Sequence, residues 1–178
     1  TKQAFAISQG EGRNRTSGNY GGLEYTGRVE VLPFGEFTGK GDYFGSDLKR
    51  EATPKLSIGV TYDYNDRAAR ERGNLGSYVA DTAYSSLNTA FVDLMFKYNG
   101  LSVAAEYANK QIRGDRLVDT EGNFISNYYT GSGTVVQAGY LLPSNLEFAA
   151  RYTTITPEQA SGRDLQDMYT LGVSKYIV

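Results

Sequence analysis

The chain of 178 residues contains no cysteine, no histidine and no tryptophan. It can therefore form no disulfide, zinc cluster, thiol nucleophile or Ser-His-Asp triad. The formal net charge is only -2, which argues against a nucleic-acid partner. No run of about 18 apolar residues predicts a membrane-spanning helix, and the start Thr1-Lys2-Gln3 does not read as a secretory signal. We expect one unit over residues 1–178 that is not an enzyme and holds no cofactor or metal.

A long alternation of apolar and polar residues is the main positive signal. It is clearest in Lys55–Tyr64, where the even positions are apolar or aromatic and the odd positions are small, polar or charged. Since successive side chains of a strand point to opposite faces, this pattern predicts a strand with one apolar and one polar face. Ten residues at about 3.3 Å each reach roughly 33 Å, beyond the usual strand of about five or six residues. A tilted strand of this length can cross a bilayer.

The same alternation recurs about eight times along the chain and predicts eight strands. They cover residues 2–9, 23–34, 55–64, 88–98, 101–112, 133–142, 146–156 and 168–178. Asn99-Gly100 predicts a tight hairpin, and Pro143-Ser144-Asn145 predicts a second tight turn. From residue 65 onward, tight turns and long loops alternate, which places them at opposite ends of an up-and-down sheet, as in transmembrane barrels. The long connection 35–54 breaks this rule, because strand order places it at the tight-turn end.

We therefore expect an all-β fold: an antiparallel up-and-down transmembrane β-barrel, of which about eight strands are present. Tyrosines near strand ends fit the aromatic girdles of such barrels: Tyr25, Tyr62, Tyr64, Tyr98, Tyr107, Tyr140, Tyr152 and Tyr169. A soluble antiparallel sandwich or clam-like barrel explains the alternation equally well. Strand length and loop asymmetry favour the membrane barrel. Within residues 66–73, one or two helical turns with Gly73 as C-cap are also predicted.

Three segments resemble the phosphate-selective porin O and P family, in the form found in Bacteroidetes-type bacteria. They are Leu32-Pro33-Phe34-Gly35-Glu36-Phe37, the run from Gly41 to Leu56, and Asn65 to Gly73; the resemblance covers mainly residues 23–76. It implies a bacterial outer-membrane barrel of about sixteen strands, surrounded by the lipid bilayer and lipopolysaccharide. Such barrels are usually trimeric and pass anions or other small hydrophilic solutes by diffusion.

The chain departs from that family pattern in three ways. It supplies about half of the strands, it stops at Tyr176-Ile177-Val178 without a terminal aromatic residue, and its polar face carries no arginine ladder. An open sheet of eight strands would leave two unpaired edges in lipid, which is not tolerated. We therefore expect a segment of a barrel of about sixteen strands, with N- and C-terminal strands missing. A closed eight-stranded barrel is the alternative.

Charges of both signs are nearly balanced on the predicted polar face. The acids are Glu24, Glu30, Asp63, Asp93, Glu106 and Glu147, and the bases are Arg28, Lys55, Lys97, Lys110 and Arg151. A mixed face is typical of a general aqueous pore or a packed polar lumen, whereas anion selectivity calls for rings of arginine and lysine.

The sharper anion candidate is the cluster Arg67, Arg70 and Arg72. If this connection folds into the lumen, three guanidinium groups could narrow the pore and bind anions or phosphate bidentately. The alternative is a solvated loop helix whose arginines pair with Asp66 and Glu71.

Two functions of different class follow. The first is an outer-membrane porin, a diffusion channel for small solutes with anions or phosphate as the specific candidates. The second is a plugged structural barrel that binds partner proteins in the outer membrane. Lumen charges that can pair with each other favour the second, and the family resemblance favours the first. We expect the protein to assemble as a homotrimer or to bind other outer-membrane proteins.

Overall fold

The computed structural model of the protein describes residues 1–13, 21–79, 84–113, 121, 128–159 and 162–177, without the side chains of residues 42 and 43. The chain forms one antiparallel sheet in which every strand pairs with the next along the sequence. The strands are β1 (Lys2–Gln9), β2 (Leu23–Val31), β3 (Lys55–Ala68), β4 (Ser85–Tyr98), β5 (Leu101–Arg113), β6 (Gly131–Leu141), β7 (Leu146–Pro157) and β8 (Gln166–Lys175). The predicted all-β, up-and-down arrangement of eight strands is confirmed. Of the residues predicted for the last strand, Val178 lies outside the described residues.

The two tight turns adopt the backbone conformations that their sequences predict. Asn99 and Gly100 have φ angles of 47° and 90°, and positive φ at both central residues is the signature of the type I′ hairpin. Asn145 has φ 62° and its N–H donates to the Leu142 carbonyl at 2.9 Å. Both turns and the connection 32–54 lie at one end of the sheet, the tight-turn end. The other four pairs of successive strands are joined at the opposite end of the sheet, here called the long-loop end.

The predicted helical turns ending at Gly73 are wrong. β3 continues through Ala68, which pairs with Ser85 of β4 after a register shift that begins at Asn65. Beyond the strand, the chain turns at Arg70, whose carbonyl accepts from the Gly73 N–H at 2.8 Å. Pairing with β4 outweighs the helix propensity of this charged stretch, as tertiary context often does.

The register aligns residues of like polarity across the sheet. Val29, Val60 and Val92 lie side by side on β2, β3 and β4, and the face they share is called the apolar face. On the opposite, polar face the same strands carry Arg28 and Asp93.

Within the described ranges, no other element covers the apolar face. Val60 is 52% exposed and Leu171 is 85% exposed. Buried apolar residues in the described part of the chain are few, and their main cluster, which includes Ala68 and Leu87, lies at the long-loop end. The soluble sandwich of the sequence-based alternative needs a second sheet, and the described strands form only one.

The sheet is open. β1 and β8 are its two edges, and they do not pair with each other in the described part of the chain. The alternative of a closed eight-stranded barrel is therefore not observed. The strands are 8 to 14 residues long, which exceeds the average of about five or six in globular proteins.

Candidate functional site

A cleft of about 650 Å³ occupies the polar face. Its polar lining comes from six strands: Arg28 and Glu30 of β2, Ser57 of β3, Asp93 of β4, Glu106 of β5, Gln137 of β6 and Arg151 of β7. The strand alternation alone places these side chains on one face, because successive side chains of a strand point to opposite faces and register partners share a face.

An ion pair crosses the cleft floor from β2 to β4. Arg28 donates to both carboxylate oxygens of Asp93, at 2.5 Å and 2.9 Å, and to Glu30 Oε2 at 3.0 Å. The guanidinium passes over the intervening strand β3 at Gly59, where an added Cβ would overlap both the guanidinium and the Asp93 carboxylate. Because glycine has no side chain, Gly59 makes this contact between non-neighbouring strands possible.

The charges of this network compensate one another. Arg28 faces two acids, and Glu30 is shared with Lys2 through an Nζ–Oε1 distance of 3.2 Å. Arg28, a candidate pore-lining cation because it lies on the predicted polar face, therefore binds carboxylates of its own chain.

Two charges of the cleft stay uncompensated among the described residues. Arg151 donates from Nε and Nη2 to Gln137 Oε1, at 2.8 Å and 2.6 Å, and this acceptor is neutral. Glu106 is exposed and forms no ion pair with the described part of the chain. One acid and one base therefore remain available to a solute in the cleft.

At the tight-turn end, residues 36–51, here called the inner segment, lie over the polar face. Lys97 anchors them: its Nζ donates to the carbonyls of Gly41, Phe44 and Ser46 at 2.6, 2.6 and 2.7 Å. The lysine is 1% exposed. Lys97, predicted as a pore-lining cation, thus holds a chain segment in place.

Further contacts tie the inner segment to the tight turns. Asp47 accepts from the Gly100 N–H at 2.8 Å and from the Glu51 N–H at 3.1 Å. Arg50 donates to the carbonyls of Leu141, at 2.8 Å, and Leu142. The polar face is consequently covered at this end. Apart from the unusual length of the connection 35–54, no signal in the sequence indicated this placement.

The connection after β3 covers the polar face at the long-loop end. Arg72, Gly73 and Asn74 border a cavity of about 330 Å³ together with Asp63 and Lys110. Lys110 Nζ donates to the Arg72 carbonyl at 2.9 Å. Its ammonium is thus engaged by the connection that lies over it.

The three arginines of the predicted cluster contact three different partners. Arg67 has a side chain that is 63% exposed and lies 3.5 Å from the Asp66 carboxylate. The guanidinium of Arg70 stacks on the ring of Tyr78 with its carbon 4.4 Å from the ring centre. These two groups therefore do not share one ligand site in the described residues.

The third arginine of the cluster has another aromatic partner. Arg72 lies 4.6 Å from the centre of the Tyr129 ring, and Arg163 lies 3.4 Å from that same centre. The remaining predicted lysine, Lys55, is half-buried and donates to the Phe34 carbonyl at 3.2 Å. The contact of two arginines with one tyrosine ring was not predicted, because Arg163 lies far from Arg72 in the sequence.

The prediction that the tyrosines lie near strand ends is only partly correct. Tyr62, Tyr107 and Tyr152 lie in the middle of β3, β5 and β7, and Tyr169 is the register partner of Tyr152. The other predicted tyrosines lie nearer the ends of the sheet. Tyr25 and Tyr64 stack with ring centres 6.4 Å apart, and both belong to the ends of β2 and β3 that lead to the long loops. Tyr98 and Tyr140 lie at the tight-turn end.

Outside the strands, burial raises the pKa of Tyr128, whose hydroxyl donates to the Ala68 carbonyl at 2.6 Å.

No protein-family model matches this chain, and neither does any curated protein or solved structure. Within the described ranges, no three acidic side chains are grouped so that they could hold a metal ion. The same ranges contain no helix of the length and apolarity needed to cross a membrane. The functional argument rests on the geometry of the sheet and its two faces.

Proposed function

We propose that the chain is part of an outer-membrane porin whose polar face lines an aqueous channel and whose apolar face contacts lipid. One observation carries the proposal: long strands present a continuous apolar surface that no described residue covers, while the charges gather on the other face. From β2 to β7, the middle of the apolar face carries no charged residue. Alternation of this kind, lipid-facing and lumen-facing, is typical of transmembrane barrels.

Energetics support lipid as the neighbour of the apolar face. Full burial of a Val, Leu, Ile or Phe side chain stabilises by about 1.5–3 kcal/mol. This sheet leaves such side chains or Met exposed on seven of its eight strands, and β5 exposes Tyr107. Contiguous apolar patches above a few hundred Å² mark interaction or membrane surfaces. The acyl chains of a bilayer would cover the whole face at once.

Closure of the barrel requires strands beyond these eight. The backbone groups along the free edges of β1 and β8 need partners, because lipid offers none. Additional strands that pair with both edges would complete a barrel of about sixteen strands, in the size range of general porins. The resemblance of residues 23–76 to the porin O and P family supports the same proposal.

A general diffusion channel fits the polar face better than a phosphate filter. Arg28 and Lys97 are bound to groups of the chain itself, and the guanidinium groups of Arg70 and Arg72 stack on different tyrosines. Rings of free arginine or lysine, which anion selectivity requires, are not formed by these residues. Small hydrophilic solutes are the proposed cargo.

The plugged scaffold barrel is the second candidate. The inner segment favours it, because Lys97, Asp47 and Arg50 hold this segment across the polar face at the tight-turn end. A barrel filled in this way would fold and insert but pass little current.

Single-channel recording separates the two candidates. The full-length protein, purified in detergent and added to a planar bilayer, is expected to give steady current steps that are linear in voltage. Folding is checked independently by circular dichroism of the same sample. A folded barrel that stays electrically silent would contradict the channel and support the scaffold.

A further inference from the structure

We propose that Glu106 and Arg151 form a selectivity site for small solutes that carry both a carboxylate and an ammonium group, such as dipeptides. The inference rests on the proposed function, since it places the site in the lumen of the channel. It follows from which charges in the cleft are already engaged and which are not.

The engaged charges cannot select a solute strongly. Arg28 is held by Asp93 and Glu30, and breaking these charge-assisted hydrogen bonds would cost more than a weak solute contact returns. Glu106 and Arg151, by contrast, are both exposed and point into the same cleft. Glu106 and Arg151 are therefore the acidic and the basic side chain of the cleft that remain available to a ligand.

The register fixes the separation of the two residues. Glu106 lies opposite Val135 of β6, and Arg151 lies opposite Gln137 of the same strand. Two strand spacings amount to about 10 Å and two residues along a strand to about 7 Å, so the two backbone positions are roughly 12 Å apart. Their side chains reach into the cleft between them. An extended di- or tripeptide spans about 7–11 Å, which is short enough to lie between these two backbone positions.

Arg151 and Glu106 carry opposite charges and therefore suit the two charged ends of a zwitterion. The planar guanidinium of Arg151 suits a carboxylate bidentately, and the Gln137 side chain that accepts from it retains an amide donor for the same carboxylate. Glu106 can accept from an ammonium group. A simple anion bound at Arg151 would meet the negative charge of Glu106 without compensation, so the site disfavours it.

Binding is tested directly with alanyl-alanine and the full-length protein in detergent, followed by ligand-observed NMR. The N-acetylated dipeptide, which is only an anion, and the dipeptide amide, which is only a cation, are the matched probes. We expect saturable binding of alanyl-alanine in the millimolar range. Binding of each blocked probe, and of alanyl-alanine to Glu106→Gln or Arg151→Gln, should be at least about tenfold weaker.

Current measurements give a second readout. Under a salt gradient, Glu106→Gln should shift the reversal potential towards anion preference and Arg151→Gln towards cation preference. Arg67→Gln removes one positive charge outside the cleft and should leave the potential unchanged. The double variant Glu106→Arg with Arg151→Glu, which exchanges the two charges, should restore both the potential and dipeptide binding.

The outcomes separate this inference from the proposed function. Equal binding of alanyl-alanine and its N-acetylated form would overturn the zwitterion site, as would a conducting barrel in which neither single variant changes binding or potential. A silent barrel that binds alanyl-alanine through both residues would overturn the channel and leave the site standing. Loss of fold in a variant is detected by circular dichroism, and the charge-exchanged variant then decides.

Discussion

The Ala105→Arg variant is expected to lose most of its ability to insert into lipid bilayers. Ala105 lies on the apolar face between Leu94 of β4 and Val136 of β6. Arginine on the lipid side of a barrel costs about 2–4 kcal/mol near the bilayer midplane. The free energy of unfolding from liposomes, measured by denaturant titration of the full-length protein, should fall by about that amount.

The neighbouring residue provides a matched control. Ala104 has the same side chain, but it lies on the polar face between Met95 and Gln137. Ala104→Arg should therefore retain insertion and change stability by less than about 1 kcal/mol, because its guanidinium would be hydrated in the lumen. Equal effects of the two substitutions would contradict lipid contact on the apolar face, since exposed sites of a water-soluble sheet usually change by within about 0.5 kcal/mol.

The Lys97→Met variant is expected to release the inner segment and to raise single-channel conductance. Three carbonyls lose their shared donor when Lys97 is replaced, and each hydrogen bond to a charged group contributes about 1.5–3 kcal/mol. Methionine keeps most of the aliphatic length but cannot donate. The inner segment should then become sensitive to limited proteolysis, and the pore should widen at the tight-turn end.

Lys55→Met is the matched control for that change. Lys55 is only half-buried and donates to a single carbonyl, that of Phe34, so its replacement should leave conductance and proteolysis unchanged. If Lys97→Met exposes the inner segment to protease without raising conductance, that segment does not limit the current. If neither property changes, the anchoring role of Lys97 is wrong.

Much of the sheet could be predicted from the sequence, because alternation and turn residues are local signals. The pattern of Lys55–Tyr64 defines two faces without knowledge of any partner strand, and Asn99-Gly100 pairs β4 with β5 by itself. The prediction of helical turns ending at Gly73 was wrong because the structure of this segment depends on a non-local contact. There, pairing of Ala68 with Ser85 decides the structure, and a local pattern does not report such pairing.

The site was harder to predict than the fold. Lys97 and Lys55 occupy equivalent positions in their alternating patterns and are register partners, yet only Lys97 is buried beneath a folded connection. The Arg28–Asp93 pair skips a strand and depends on the absence of a side chain at Gly59. Such contacts follow from three-dimensional placement, so composition and spacing could give the residue types but not their partners.

The most direct test of the central claim asks which face of the sheet meets lipid. The chain has no cysteine, so single substitutions at adjacent positions report cleanly: Ala104→Cys and Gln137→Cys on the polar face, Ala105→Cys and Val136→Cys on the apolar face. In liposomes, a water-soluble maleimide should modify the first pair and spare the second, and a fluorophore attached to the second pair before reconstitution should be quenched by brominated acyl chains. Equal maleimide labelling of both pairs, with no quenching, would contradict a transmembrane barrel.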